Sequence, residues 1–406
     1  MNYDLLKGVR IIESSAFIAA PLCGMTLAQL GAEVIRVDLI GGGIDYQRLP
    51  MMPEGRSIYW TSLNKAKKSV AIDIKRPEGR ELLQRLVGAP GEAGGILLTN
   101  IGTPWLSHQT LSELRPDLIS CTIEGNFDGS TAVDYTVNCA TGYPMLTGTG
   151  SPDRPVNHTL PAWDVICANQ AATAIVAALA RRQSSGAGAE IRLALSDSAF
   201  STLSHLGLLT ESELIGPQRE SLGNYLYGAF GHDFATSDGR RVMIVAISSR
   251  QWRALVKACD LQNAVESLQA ALGMNFDNEA DRFEGRELLA ALINQWCIKR
   301  SLAEIEAHLT QHGVAYGPYR TVRQLLHEDK RVSLENPVFE RIQTPGVGEH
   351  LAAGTPLRFG GAPRHAVQPA PELGRDTDQV LSDVLGLSDH EIYALRDSGI
   401  VGGISG

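Results

Sequence analysis

The feature that most restricts the fold is an alternation of apolar runs and helical stretches that starts near residue 8 and repeats to about residue 125. Gly8-Val9-Arg10-Ile11-Ile12-Glu13 is a short apolar run closed by a polar residue. Cys23 to Ala32 is apolar at helical spacing, and Glu33-Val34-Ile35-Arg36-Val37-Asp38 is a second run. Short continuous apolar runs bounded by turn signals are the pattern of strands buried on both faces. Gly31 stands where a helix stop belongs, so the segment reads as a parallel βαβ unit of the doubly wound class. The rhythm continues with KKSVAIDIK as a strand, RPEGRELLQRLV as a helix, GGILLTN as a strand, TLSELRPD as a short helix and LISCTIEG as a strand. A parallel α/β sheet is expected.

Past residue 125 the pattern turns irregular through GYPMLTGTGSPDRP and then gives a helix, VICANQAATAIVAALARR, at 165–182. That helix is Ala-rich and apolar nearly all round, which predicts burial. SSGAGAE reads as a turn, and IRLALSDSAF as a strand running into a helix near residue 197. From about residue 210 an extended linker leads to a hairpin at Asp238-Gly239, then to helices at 250–260, 285–297 and 301–312. VAYGPYRTVRQLLHED closes a small α+β domain. The tail from 333 ends in two short helices joined at an N-cap in Leu387-Ser388-Asp389. With 406 residues, two domains are expected, with boundaries near 210 and 332.

A net charge of -9 argues against a nucleic-acid partner, because such binding rests on clustered Lys and Arg neutralising phosphates. Any phosphate-bearing ligand needs a local basic patch, and Asn64-Lys65-Ala66-Lys67-Lys68, followed by Lys75-Arg76, is the densest one. The same run also fits a solvated surface. The six cysteines lack a CxxC pair, so neither a zinc site nor a disulfide framework is expected. MNYDLLKGVRIIESSAF has no leader pattern, and no apolar run of about eighteen residues stands out, so a cytoplasmic protein without a membrane partner is expected.

The first βα turn, Glu13-Ser14-Ser15-Ala16-Phe17-Ile18-Ala19-Ala20-Pro21, lacks the GxGxxG of dinucleotide enzymes. Asp38 therefore reads as a strand-end polar residue and not as a ribose ligand. Gly41-Gly42-Gly43 allows close backbone approach to a ligand, or simply makes a turn. GxSxG and paired-His metal motifs are absent, and of the ten dispersed histidines His158 is noted because it is close to Asp164 in sequence. Asp164, in Leu160-Pro161-Ala162-Trp163-Asp164-Val165, admits two readings. It is an N-cap of the Ala-rich helix, or a carboxylate kept ionised by the helix N-terminus and ready to attack. The pattern leaves both open.

Together, GVRIIESSAFIAAPLCGMTLAQLGAEVIRVD, SLNKAKKSVAIDIKRPEGRELL, SGAGAEIRLALSD, GVAYGPYRTVRQLLHED and PAPELGRDTDQVL resemble the class III CoA-transferase family (CaiB/BaiF type) over almost the whole chain. The resemblance implies a Rossmann-like large domain made of 1–210 and 333–406, a linker and smaller α+β domain at 211–332, and an interlocked ring-like homodimer. It implies that Asp164 is the catalytic nucleophile. Contacts to coenzyme A, which is part of the substrate and not a resident cofactor, fall by the same resemblance on Ile18 and Ala19, on Ile72, Asp73, Ile74 and Lys75, and on Asn100, Ile101 and Gly102. No metal is implied. Leu39 and His108 stand where formyl-CoA transferases carry arginines.

Within the family, LPAWD, GGGIDYQR, VDYTVN and GNYLYGAFGHDF resemble the branch that shifts CoA between the two carboxyls of one unsaturated C5 diacid, 2-methylfumaryl-CoA to 3-methylfumaryl-CoA. Val133, where racemase relatives carry a histidine, argues against the racemase branch. Backbone N–H groups at the start of the long helix and the Tyr225–Gly231 loop are candidates for stabilising oxyanions and covering the site, while the loop reads equally as a plain linker. The alternatives are an intermolecular transferase using a free dicarboxylate such as succinate or mesaconate, and a catalytically silent CoA-binding subunit.

Overall fold

A computed structural model describes residues 2–148, 154–216 and 219–403; parts of the expected irregular stretch (149–153) and of the expected linker (217–218) lie outside the described residues. The chain forms two compact units: residues 1–141, 159–213 and 330–406 make the larger, and 142–158 with 214–329 the smaller. By this division residues 142–158 fall in the smaller unit.

In the larger unit, β1 (Arg10–Ser14), β2 (Glu33–Asp38), β3 (Lys68–Ile72), β4 (Ile96–Thr99), β5 (Ile119–Glu124) and β6 (Ala189–Ala194) are all parallel, in the order β3-β2-β1-β4-β5-β6. β1 to β4 are almost wholly buried, as their uninterrupted apolar runs require. Successive strands move outward from β1 on one side and from β4 on the other. The loops after these two strands therefore diverge at a topological switch point, the usual ligand crevice of open α/β sheets. Gly31 has φ 106°, and a Cβ there would lie 2.5 Å from the Tyr3 carbonyl oxygen, so the helix stop is also a close backbone approach.

The smaller unit holds an antiparallel sheet of β7 (Phe230–Ala235), β8 (Arg241–Ala246) and β9 (Ala315–Pro318), covered by helices around its own core of Phe230, Trp252, Phe276 and Trp296. In the tail of the larger unit, β10 (Phe339–Thr344) and β11 (Gly348–Ala353) form a hairpin that the sequence reading missed. β12 (Val401–Gly402) then closes the large sheet by pairing antiparallel with β3.

The long helix runs Ala162–Ser185, the crossover between β5 and β6, and packs on both strands and on the first helix, Ala19–Gln29. Two expectations need correction here. An 18-residue window of this helix has mean hydropathy 1.3, long and apolar enough by composition to cross a membrane, because many alanines together supply what no cluster of large residues does. It is also not buried all round. Cys167, Ala168, Ala171, Ile175 and Leu179 face the core, while Asn169, Thr173, Val176 and Ala180 are open.

Candidate active site

The right end of the sheet for chemistry is set by the turn after β1. Thr99 Oγ1 donates to the Ser14 carbonyl at 2.7 Å. Asn100 then clamps Ala16 from both sides, accepting from its N–H at 2.9 Å and donating to its carbonyl at 2.8 Å. Phe17 has φ 66°, a conformation that a bulky residue adopts only when its surroundings enforce it. The enforcing contact is Asp45, whose Oδ2 accepts from the Phe17 N–H at 3.0 Å. The turn is therefore rigid before any ligand arrives.

Beneath it lies a buried ionic network that sequence reasoning did not find. Arg36 is 1% exposed and forks onto Asp38, reaches Asp45 at 3.2 Å and donates to the Ser15 carbonyl at 3.1 Å. Lys67 and Glu13, both fully buried, pair at 2.8 Å. Burial opposes charge on Arg36, but Asp38, Asp45 and Glu13 outweigh it and hold the guanidinium above its usual range. Burial, together with Arg36, pulls Lys67 down to about 8 against the attraction of Glu13. Gly24, in the first helix, lies so close that a Cβ would sit 1.8 Å from Glu13 Oε2. Gly24→Ala is therefore expected to cost about 2–3 kcal/mol, read as a lower urea midpoint at unchanged m-value.

This network overturns both readings of the lysine run. Lys67 is spent on Glu13, Asn64 and the Pro21 carbonyl, Lys65 on the Ala353 carbonyl, and Lys68 pairs with Glu33, so the run is neither a phosphate patch nor a plain solvated surface. Lys75 is exposed, while Arg76 binds the Ser398 carbonyl and Glu78.

Asp164 is not the N-cap. The helix begins at Ala162 with Pro161 in the cap position, so Asp164 sits in the first turn. The orphan donors are capped from elsewhere: Asp134, at the start of the helix Asp134–Ala140, accepts from the N–H groups of Trp163 (2.8 Å) and Asp164 (3.1 Å) on one oxygen. The Ala162 N–H goes to the Leu160 carbonyl and that of Val165 to the Pro161 carbonyl. The expected oxyanion donors at the helix start are thus already in use. Nor does the helix end hold Asp164 ionised: burial, then the nearby Asp134, push its carboxyl up to about 7.

Tyr59 belongs to the same neighbourhood. Burial raises its phenol to about 12, with Arg48 opposing and Asp164, Asp45 and Tyr135 reinforcing. The Arg48 guanidinium lies over the rings of Phe17 and Tyr59, 5.4 and 5.2 Å from their centroids.

The sequence-predicted contact residues fall into two groups. Ile18 and Ala19 open the first helix, and Asn100, Ile101 and Gly102 follow β4, so the Asn100–Ala16 clamp brings these five together at the switch point. Ile72 ends β3, two strands from β1, buried and paired with Val401 of β12; Asp73, Ile74 and Lys75 follow it in a turn fixed by Arg80, which donates to the Ile74 and Lys75 carbonyls. His108 is engaged with Ser120 at 2.8 Å. His158 and the Tyr225–Gly231 loop belong to the smaller unit, where Leu226 N–H donates to the Gly231 carbonyl. Among the described residues, no three His, Cys, Asp or Glu side chains gather as metal ligands. Asp134, Tyr59, Arg48 and the Arg36 network were missed; the one sequence signal was a charged residue inside or ending an apolar strand, at Arg36 and Asp38.

Comparison with known proteins places these features in context. The description CoA-transferase family III matches residues 6–377. The sequence is 48% identical over 401 residues, 98% of each chain, to the 2-methylfumaryl-CoA isomerase of Chloroflexus aurantiacus. It is 27% identical over 407 residues, again 98% of each chain, to the succinyl-CoA–D-citramalate CoA-transferase of the same organism. A solved CAIB/BAIF family protein from Brucella suis aligns with TM-score 0.76 over 94% of this chain and 100% of that one, at 24% identity, a likeness of fold.

Proposed function

Because this chain belongs to CoA-transferase family III, we propose that it converts 2-methylfumaryl-CoA to 3-methylfumaryl-CoA by moving coenzyme A within one molecule, with Asp164 as the covalent nucleophile. The observation that carries the reading is the near-full-length 48% identity to an enzyme of that name, joined to a half-buried carboxyl on the first turn of the long helix, close enough to Tyr59 to act on its phenol. The 27% relative, whose name specifies transfer between two different acids, gives the intermolecular alternative less support.

The cycle balances without redox change. A carboxylate oxygen of Asp164 attacks the thioester carbonyl, the C–S bond breaks, and CoA leaves as thiolate from a mixed anhydride. The thiolate attacks the aspartyl carbonyl, expelling the free diacid and leaving an aspartyl-CoA thioester. The other carboxylate of the diacid attacks this thioester and displaces the thiolate, which then attacks the diacid carbonyl of the new anhydride and restores Asp164. Splitting the transfer lowers each barrier, and a retained diacid makes the second half effectively unimolecular. The pantetheine and nucleotide run along the loops that carry Ile18, Ala19, Asn100, Ile101, Gly102 and 72–75. The enzyme works as a cytoplasmic homodimer with no cofactor beyond the CoA of its substrate.

Two incubations with 2-methylfumaryl-CoA test the intramolecular route: 3-methylfumaryl-CoA forms without any added acid, and it takes up no label when labelled mesaconate is supplied. Label uptake at the rate of isomer formation would establish the intermolecular alternative.

The site also fixes the pH dependence. The nucleophile is the carboxylate, and burial plus Asp134 favour the neutral acid, so kcat/KM rises with pH through a limb near 7. Asp134→Asn keeps an acceptor for the Trp163 and Asp164 N–H groups but removes the charge. It is expected to move that limb to lower pH, measured as log kcat/KM against pH.

A further inference from the structure

We propose that Arg48 holds the free carboxylate of the substrate, making it the residue that selects a dicarboxylic over a neutral acyl group. The inference rests on the function proposed above and names a partner for the half of the substrate that does not react.

The cations around the switch point are otherwise committed. Arg36 and Lys67 are locked in the buried network, Lys65 is bound to a carbonyl, and Arg56 donates to the Tyr46 hydroxyl and the Pro371 carbonyl. Arg48 differs. It is exposed, and among the described residues its guanidinium has neither a carboxylate within ion-pair distance nor a hydrogen-bond acceptor. Two aromatic rings hold it instead. These contacts with Phe17 and Tyr59 give its N–H groups no oxygen acceptor, so those donors are left for a ligand.

Its position is built, not incidental. The Arg48 N–H donates to the Asp45 carbonyl at 3.2 Å, and its carbonyl accepts from Ser57 Oγ at 2.5 Å. Ser57 in turn caps the helix that carries Tyr59, and Asp45 is the residue that holds the Phe17 turn. One set of bonds thus fixes the cation, both of its rings, and the turn that leads to Ile18 and Ala19.

Electrostatics supplies the need. Asp45, Asp134 and Asp164 are all acidic groups of this neighbourhood, and Tyr59 senses Asp164, Asp45 and Arg48 together. A monothioester of a diacid brings another negative charge, and after the first half-reaction the diacid carries two. Without a cation that charge is repelled and the intermediate escapes. A guanidinium offers a planar fork matched to a carboxylate, and it grips either end of the diacid equally well because both ends are carboxylates. The acid can then exchange its ends while the CoA waits on Asp164.

The test compares the rate of Asp164 adduct formation, trapped with hydroxylamine, from 2-methylfumaryl-CoA and from its distal methyl ester, which has nearly the same shape without the charge. The wild type is expected to favour the free acid by about 10- to 100-fold, the range of one charge-assisted hydrogen-bond pair. Arg48→Gln brings the ratio close to one, and Arg48→Lys restores part of it. A ratio in Arg48→Gln equal to that of the wild type, including an equal loss on both esters, overturns the assignment. Absence of any Asp164 adduct from the free acid in the wild type removes the parent function and this inference with it.

Discussion

Replacing Asp164 by Asn is expected to lower kcat by about 10⁴-fold or more, since an amide cannot form the anhydride and the nearby Asp134 carboxylate is engaged by the Trp163 and Asp164 N–H groups. The variant also carries a second, opposite signature. Asp164 has a folded-state carboxyl raised to about 7, so the folded protein keeps its proton where the unfolded chain has lost it. Stability is therefore lost as pH rises from about 4 through 7, and above 7 the ionised carboxylate costs on the order of a few kcal/mol. Asp164→Asn removes that cost. Urea unfolding at pH 8 should find the inactive variant more stable than its parent, with the gap closing as pH falls towards 4. A dead enzyme that is also less stable at pH 8 would mean that the mutation damaged the helix start, and would leave the carboxylate's role unproved by activity alone.

Arg36→Met is the substitution expected to harm the fold most. Arg36 is the shared cation for Asp38, Asp45 and, at 3.6 Å, Glu13, all of them nearly or fully out of water. Its removal leaves these carboxylates with Lys67 as their one buried cation among the described residues. Breaking a buried pair from one side costs about 3–5 kcal/mol, because the stranded charge has lost both water and partner. Losing the bond to the Ser15 carbonyl also frees the turn before Ile18, so KM for the CoA thioester should rise along with the fall in urea midpoint. Arg36→Lys keeps the charge without the fork and should fall between the two.

The parallel sheet was legible because its strands advertise burial on both faces as uninterrupted apolar runs, with helices of ordinary length between them. The hairpin β10–β11 was not, because FERIQT and GEHLAA carry neither an uninterrupted apolar run nor a strict alternation, and bury only Ile342, Thr344 and Ala352 between them. Local pattern also located Asp164 at a helix start but not the group that caps that start. A cap from Asp134, thirty residues away in sequence, cannot be read from the helix itself. The same blindness applies to the lysine run. A cluster of positive charge looks alike whether it meets solvent, phosphate or buried Glu13, and only the meeting of β1, β2 and the segment before β3 decides the matter. Arg48 was hidden for a related reason, since its value lies in rings and acids contributed by four separate segments. Local chemistry reports what a residue can do; long-range packing selects which of those things it does.

The most direct test of the account is intact-protein and peptide mass spectrometry of the enzyme quenched during turnover of 2-methylfumaryl-CoA, with and without borohydride. The account predicts a CoA adduct on the peptide bearing Asp164, and after borohydride the conversion of that one aspartate to homoserine, the reduction product expected of an aspartyl thioester. Turnover to 3-methylfumaryl-CoA with Asp164 unmodified, or an adduct mapped to another residue, would contradict it.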